Sequence, residues 1–329
     1  MKLDRRALIG GLLGFGATLA GSRWLRESTA SAETMSVNFG AHPAMENYVF
    51  AARDWTSKYQ VTTKMQWFAA GGASNDALLA GKIDVNTPGA GPLIALNAAL
   101  PGKFGIAMLW DQGYNENATF VRPDAPYRTL QDLKGKKMGV LVGSGSYLAL
   151  GVRLQELGLR FDDFQIVSLP GENLAAAVNA RAIDAATVWE PLGVLAEGRG
   201  LGRVVARFPE TGGDGTYVQI RMDTLPRLRP AMVRMVAGLL DAQAFIRNHP
   251  TEAAKMVTAE LAKTGLDVPW QAFETVIKER YKLQPEFTPV VREYLNKQAG
   301  IALSMGRIKQ TPKFTVLTDI LDEAKRMRG

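Results

Sequence analysis

The feature that most constrains this chain is a change of period along it. Between residues 35 and 220, short apolar or alternating runs take turns with amphipathic stretches; beyond residue 224 the pattern is almost wholly helical. Residues 36–39, 61–68, 83–85 and 104–110 read as strands, with helical stretches at 45–59, 74–80 and 92–100 between them. A second cycle places strands at 137–142, 165–169, 183–188 and 216–220, with helices at 145–157 and 172–180. Such a βαβα rhythm can bury its apolar faces only as a parallel-rich sheet covered by helices, so the chain is α/β. Helices follow at about 224–248, 250–263, 269–281, 286–304 and 313–328, with Pro230 placed to open one and Pro250 to separate two.

The two cycles share a plan. Ala77, Ala80, Ile83, Asp84 and Thr87 recur as Ala177, Ala180, Ile183, Asp184 and Thr187, each set spanning a helix end, a turn and the next strand. Asp84 and Asp184 are open to two readings, a catalytic pair or equivalent strand-start carboxylates in separate lobes; the repeat favours the second.

Composition removes several functions. The 329 residues suffice for two domains with their own cores. There is no cysteine, which excludes disulfides, thiolate metal sites and cysteine nucleophiles. The two histidines, His42 and His249, leave no His-rich metal site, and a Ser-His-Asp triad would have to be built around one of them. No catalytic residue, metal or cofactor is therefore assigned. Lys2, Arg5 and Arg6, an apolar run from Ala7 to Ala20 and a small-residue cleavage site at Ala30-Ser31-Ala32 read as an export signal over residues 1–32, with paired arginines that suggest the twin-arginine route; an uncleaved anchor or a disordered tail is the alternative. The rest holds 34 basic and 30 acidic residues. It has no basic stripe interleaved with aromatics, so nucleic acid is not an expected partner.

Candidate binding residues lie in turns after strands, where ligands of open α/β sheets bind. Gly143-Ser144-Gly145-Ser146 leads from a strand into a helix. Helix N-terminal N–H groups lack internal partners there, and with two serine hydroxyls they would cradle an oxyanion. The same serines would also serve as ordinary helix caps. The turn lacks the third glycine of a dinucleotide fingerprint, which has Leu148 instead. Trp189 offers a flat wall and an indole N–H, and Glu190 either receives a ligand amine or sits in a first helical turn. Gly71, Gly89, Ala90 and Gly91 would let a ligand approach backbone, and His42 would lend a hydrogen bond. His249, between two helices, reads as structural.

With these residues in place, the chain resembles the substrate-binding proteins of ABC importers for aliphatic sulfonates, taurine, nitrate and thiamine-pyrimidine precursors. Leu78-Leu79-Ala80-Gly81-Lys82-Ile83-Asp84-Val85, Thr129-Leu130-Gln131-Asp132-Leu133-Lys134-Gly135-Lys136-Lys137, and Ile183-Asp184 followed by Trp189-Glu190-Pro191 carry the resemblance, over residues 35 to 220. It implies a two-lobed type II periplasmic-binding-protein fold with hinge strands and a helical C-terminal region. The first lobe would be residues 33–120 and 218–329, the second 121–217, with crossings near Phe120-Val121-Arg122 and Thr216-Tyr217-Val218. It further implies a non-catalytic, periplasmic protein that closes on a small anionic ligand and delivers it to an inner-membrane permease with its ATPase. In such proteins the glycine-serine turn meets the anionic head. A thiamine-pyrimidine-like heterocycle as ligand, or a periplasmic sensor or adaptor role, are the alternatives. The pyrimidine synthase on the same fold uses a cysteine-rich motif that this chain lacks.

Overall fold

A computed structural model describes residues 35–113, 116–208 and 214–329; the expected export signal lies outside them. The first cycle runs β1 (Met35–Ala41), α1 (Met45–Ala51), β2 (Val61–Trp67), α2 (Gly71–Leu79), β3 (Val85–Asn86), α3 (Ala90–Ala99) and β4 (Phe104–Gly113). The second runs β5 (Ala118–Val121), β6 (Lys137–Val140), α4 (Gly145–Glu156), β7 (Gln165–Ser168), α5 (Gly171–Asn179), β8 (Ala185–Val188), α6 (Leu192–Gly198) and β9 (Arg203–Arg207). The chain then returns through β10 (Asp214–Arg221). The remainder is α7 (Leu225–Asn248), α8 (Pro250–Ala262), α9 (Trp270–Arg280), β11 (Tyr281–Lys282), α10 (Pro289–Ser304), β12 (Thr315–Val316) and α11 (Thr318–Arg328).

Two sheets result. The first has the order β11-β4-β10-β3-β1-β2, with β12 also on β4; the second has β7-β6-β8-β5-β9. Within each, three strands run parallel (β2-β1-β3 and β7-β6-β8) and a strand arriving from the other half lies antiparallel beside them. That visiting strand is β10 in the first sheet and β5 in the second. The crossings therefore fall between β4 and β5 and between β9 and β10, a few residues before the expected ones. Phe120-Val121 already pairs with β8, and Thr216-Tyr217-Val218 already pairs with β4.

The repeat has a physical basis. Asp84 donates its N–H to the Asn38 carbonyl at 2.9 Å and its carboxylate accepts the Asn38 N–H at 2.8 Å. Asp184 does the same with Lys137, at 2.9 Å both ways. Ile83 lies over Gly40 and Ile183 over Gly139, each so closely that a Cβ on the glycine would meet the isoleucine Cδ1 at 2.4 Å. These carboxylates fasten strand starts, one in each sheet, and form no pair.

Two sequence expectations shift. The helix expected over 45–59 stops at Ala51, because the Asp54 carboxylate captures the N–H groups of Thr56 and Ser57 in a local turn. Pro230 lies inside α7, whose first turn holds Pro226 instead. Helices α7 and α11 cover the first sheet, where Val37, Phe39, Val218 and Ile220 are buried against Met232, Val236 and Leu239. On another flank, one apolar cluster joins the halves: Leu93 and Ile94 of α3, Tyr147 and Leu148 of α4, and Leu295 and Ala299 of α10.

Candidate functional site

The C-terminal ends of the parallel strands in both sheets open on one cavity of about 540 Å³. From the first half it is walled by the turn after β2, the start of α2 and the cleft-facing side of α3 (Pro92, Ala95, Leu96, Ala99). From the second half come the 141–146 turn, Trp189 and Glu190; Glu116, Thr216 and Tyr281 lie where the halves meet. No lysine or arginine lines it among the described residues. Asn86 donates to Ser74 and Asn75, and Gln219 donates to Asn75 and Asn86, a buried amide network that ties α2 to β3 and β10.

Eight of the sequence-selected residues line this cavity: His42, Gly71, Gly89, Ser144, Gly145, Ser146, Trp189 and Glu190. Ala90 and Gly91 do not. Ala90 is packed into the apolar cluster that joins the halves. Gly91 faces the second half directly, and a Cβ there would meet the backbone of Gly143 and Ser144 at 2.5 Å. Its role in the structure is close approach of the two walls. His249 stacks on Phe245 between α7 and α8, away from the cavity.

Ser144 takes the capping role that the sequence allowed, whereas Ser146, Trp189 and Glu190 are engaged within the protein. Ser144 caps α4, its Oγ accepting the Tyr147 N–H at 3.2 Å, and keeps its own hydroxyl proton for other use. Ser146 is buried and donates to Asn117 Oδ1 at 2.6 Å, so its proton is committed. What the turn offers is backbone N–H groups at the start of a twelve-residue helix, plus one hydroxyl. The Trp189 indole N–H is not free; it donates across the cleft to the Pro43 carbonyl at 3.1 Å. Glu190 is buried and is not available to a ligand amine. It accepts the Val194 N–H at 2.9 Å, pairs with Arg207 at 2.9 Å and pairs with Arg280 of α9. Two guanidiniums and a backbone donor satisfy a charge that would be costly alone.

His42 is almost wholly buried. Loss of hydration pulls its pKa down to about 4, against a smaller upward pull from its hydrogen bond to the Thr87 backbone. It is therefore neutral near pH 7, and Nδ1, without a partner in the protein, is a lone-pair acceptor in the cavity wall.

Sequence reading missed a polar cluster at the junction of the halves: Glu46, Asp111, Glu116, Thr216, Tyr281 and Arg280. Asp111 was the legible member, a carboxylate ending the apolar run Phe104-Gly105-Ile106-Ala107-Met108-Leu109-Trp110 in a strand buried throughout. Burial raises the Glu46 carboxyl well above the carboxylate range, and the nearby Asp111 charge raises it further. Burial, with the charges of Glu46, Asp111, Glu116 and Glu190, likewise pushes the Tyr281 phenol up.

Two stacked α/β lobes linked by crossing strands, with a cleft at the strand ends, define the periplasmic-binding-protein fold. Solved structures agree. The chain aligns with the periplasmic aliphatic sulphonate binding protein SsuA from Escherichia coli at a TM-score of 0.71 and 19% identity, covering 84% of this chain and 89% of that one. The periplasmic nitrate-binding protein NrtA from Synechocystis PCC 6803 gives 0.70 and 14%, covering 90% and 89%. The NMT1-like family model matches residues 30–262, most of the chain, and the protein belongs to that family. A curated relative from Brucella abortus (strain 2308), named only as a binding protein, is 26% identical over 275 residues, 80% of this chain and 82% of the relative.

Proposed function

We propose that this chain is an exported, non-catalytic solute-binding protein that captures a small oxyanion-bearing molecule of the sulfonate class between its lobes and delivers it to an ABC importer. The observation that carries the reading is the cleft itself: a concave volume of ligand size, with a helix N-terminus at one end and a short apolar wall beside it. The oxyanion accepts from the N–H groups at the start of α4 and from the Ser144 hydroxyl. The organic body lies along Leu96, Ala95 and the face of Trp189. The names of the solved neighbours, which bind sulphonate and nitrate, support the same chemistry.

Closure brings Trp189 to Pro43 and Glu190 to Arg280. The apolar cluster of α3, α4 and α10 stays packed on one flank, so opening is a modest rocking on the other. The closed form is what the permease recognises.

A thermal-shift screen of the chain, unfolded and refolded to remove carried solute, tests this. The panel holds alkanesulfonates, taurine, nitrate, carboxylates and aminopyrimidines. A binder at about 100 times its Kd adds roughly 2.7 kcal/mol. A shift confined to aminopyrimidines would keep the importer reading and replace the oxyanion; no shift from any of them would favour a sensor or adaptor role.

A further inference from the structure

Beside the cleft, one hydroxyl oxygen lies within hydrogen-bond reach of two carboxyl oxygens, with a single hydroxyl hydrogen to share between them. Thr216 Oγ1 is 2.9 Å from Glu46 Oε1 and is also bonded to Asp111 Oδ1. A threonine hydroxyl has a single proton and can donate to only one of the two carboxyls. The second contact is repulsive unless that other carboxyl carries a proton of its own.

Geometry decides which one does. Asp111 Oδ1 also receives the Thr216 N–H at 2.6 Å, a backbone donor that favours its charged form whichever way the hydroxyl points. Glu46 is fully buried, no cation is paired with it among the described residues, and its Oε2 has no partner. The consistent arrangement is Glu46–H donating to Thr216 Oγ1, whose own proton goes to Asp111. We propose that Glu46 is a neutral carboxylic acid holding one proton beside the cleft, and that this proton ties solute capture to pH; the second half of the proposal rests on the solute reading above.

The groups facing Glu46 reinforce its neutrality. Asp111 of β4 adds a like charge and Thr216 of β10 a hydroxyl; Tyr281 of β11 lies in the field of Glu46, Asp111, Glu116 and Glu190, the last of these offset by Arg207 and Arg280. His42, at the other end of the β1–α1 turn, is uncharged near pH 7. Burial and Asp111 both push the Glu46 carboxyl up, although its own backbone N–H opposes them. Losing the proton would set two charges side by side, break the bond that joins α1 to β10, and add negative potential beside a site that takes an oxyanion. Capture therefore weakens as pH rises through the Glu46 titration, by up to about tenfold per pH unit.

Infrared spectra of the solute-free chain in D₂O, from pH 5 to 9, read the proton directly. A protonated-carboxyl band is expected at neutral pH in the wild type, lost at higher pH, and absent at neutral pH in Glu46→Gln, which keeps a donor to Thr216. In Asp111→Asn the band should vanish at lower pH than in the wild type, a readout that survives if the first variant folds poorly. No such band at neutral pH, or a band unchanged in Glu46→Gln, overturns the assignment. Calorimetry with an alkanesulfonate across the same range should show falling affinity in the wild type and a flat profile in Glu46→Gln; a flat wild-type profile overturns the coupling. Failure of every sulfonate to bind at any pH would bear on the solute reading alone, because the band needs no solute.

Discussion

The two halves repeat one plan up to their third parallel strands and part company in the turns that follow. Asp84 and Asp184 clamp β1 and β6 in the same way, and Thr87 and Thr187 occupy the same place at the strand exits. Past Pro88 and Val188, the chain continues as Gly89-Ala90-Gly91 in the first half and Trp189-Glu190-Pro191 in the second. The first set is small, and Gly91 lets the 143–146 turn come against it. The second set is large and reaches back, through Trp189 to Pro43 and through Glu190 to Arg280. Repeated positions build the sheets; the positions that diverge bring them together around a cleft.

That contrast can be broken experimentally, most severely at Glu190. Glu190→Ala removes the buried carboxylate that Arg207 and Arg280 share and should cost about 3–5 kcal/mol in urea unfolding. Ala90→Ser, at the matching place, should cost far less; equal costs would deny the asymmetry. His42 is the next largest effect, and the corresponding turn after β6 has Leu141 instead. Its pKa falls from 6.5 in the unfolded chain to about 4 in the fold. Between those values the unfolded chain binds a proton that the native state refuses, so stability is complete above pH 6.5 and declines as pH drops toward 4. The loss is roughly 3 kcal/mol. Unfolding free energies of wild type and His42→Gln should diverge over that window, and parallel curves would show that His42 is not the group responsible.

Smaller effects sharpen the comparison further. Gly91→Ala drives a methyl into backbone and should cost about 1–3 kcal/mol and weaken solute binding. Gly89→Ala, whose nearest neighbour would be 3.9 Å away, should be tolerated. Asp84→Ala and Asp184→Ala should each cost about 1–2 kcal/mol, Asp84 slightly more because it also accepts from the Asn38 side chain at 3.0 Å. A large gap between the two would mean that the repeat is one of sequence rather than of structural duty.

Much of the sheet plan was legible because strands and helices carry their periods locally: β2, β6, β8, α4 and α8 lie close to where the pattern put them. The crossings were less so, since β5 and β9 are four- and five-residue segments whose partners lie far away in sequence. Strand-end turns identified eight cleft residues by position alone. What those side chains do was not legible. Whether Trp189 or Ser146 has a free proton depends on Pro43 and Asn117, and whether Glu190 is available depends on an arginine ninety residues on. Glu46 and Thr216 were missed because nothing local marks them; only folding brings them to Asp111.

The central claim is that a small oxyanion-bearing solute sits between the α4 N-terminus and Trp189. Calorimetric titration of the refolded chain with a short alkanesulfonate, for the wild type and Trp189→Ala, tests it most directly. The account predicts saturable one-to-one binding in the wild type and clearly weaker binding in the variant, with the fold intact by circular dichroism. Equal affinity in the two proteins would place the solute elsewhere, and no saturable heat with any anion would contradict the claim outright.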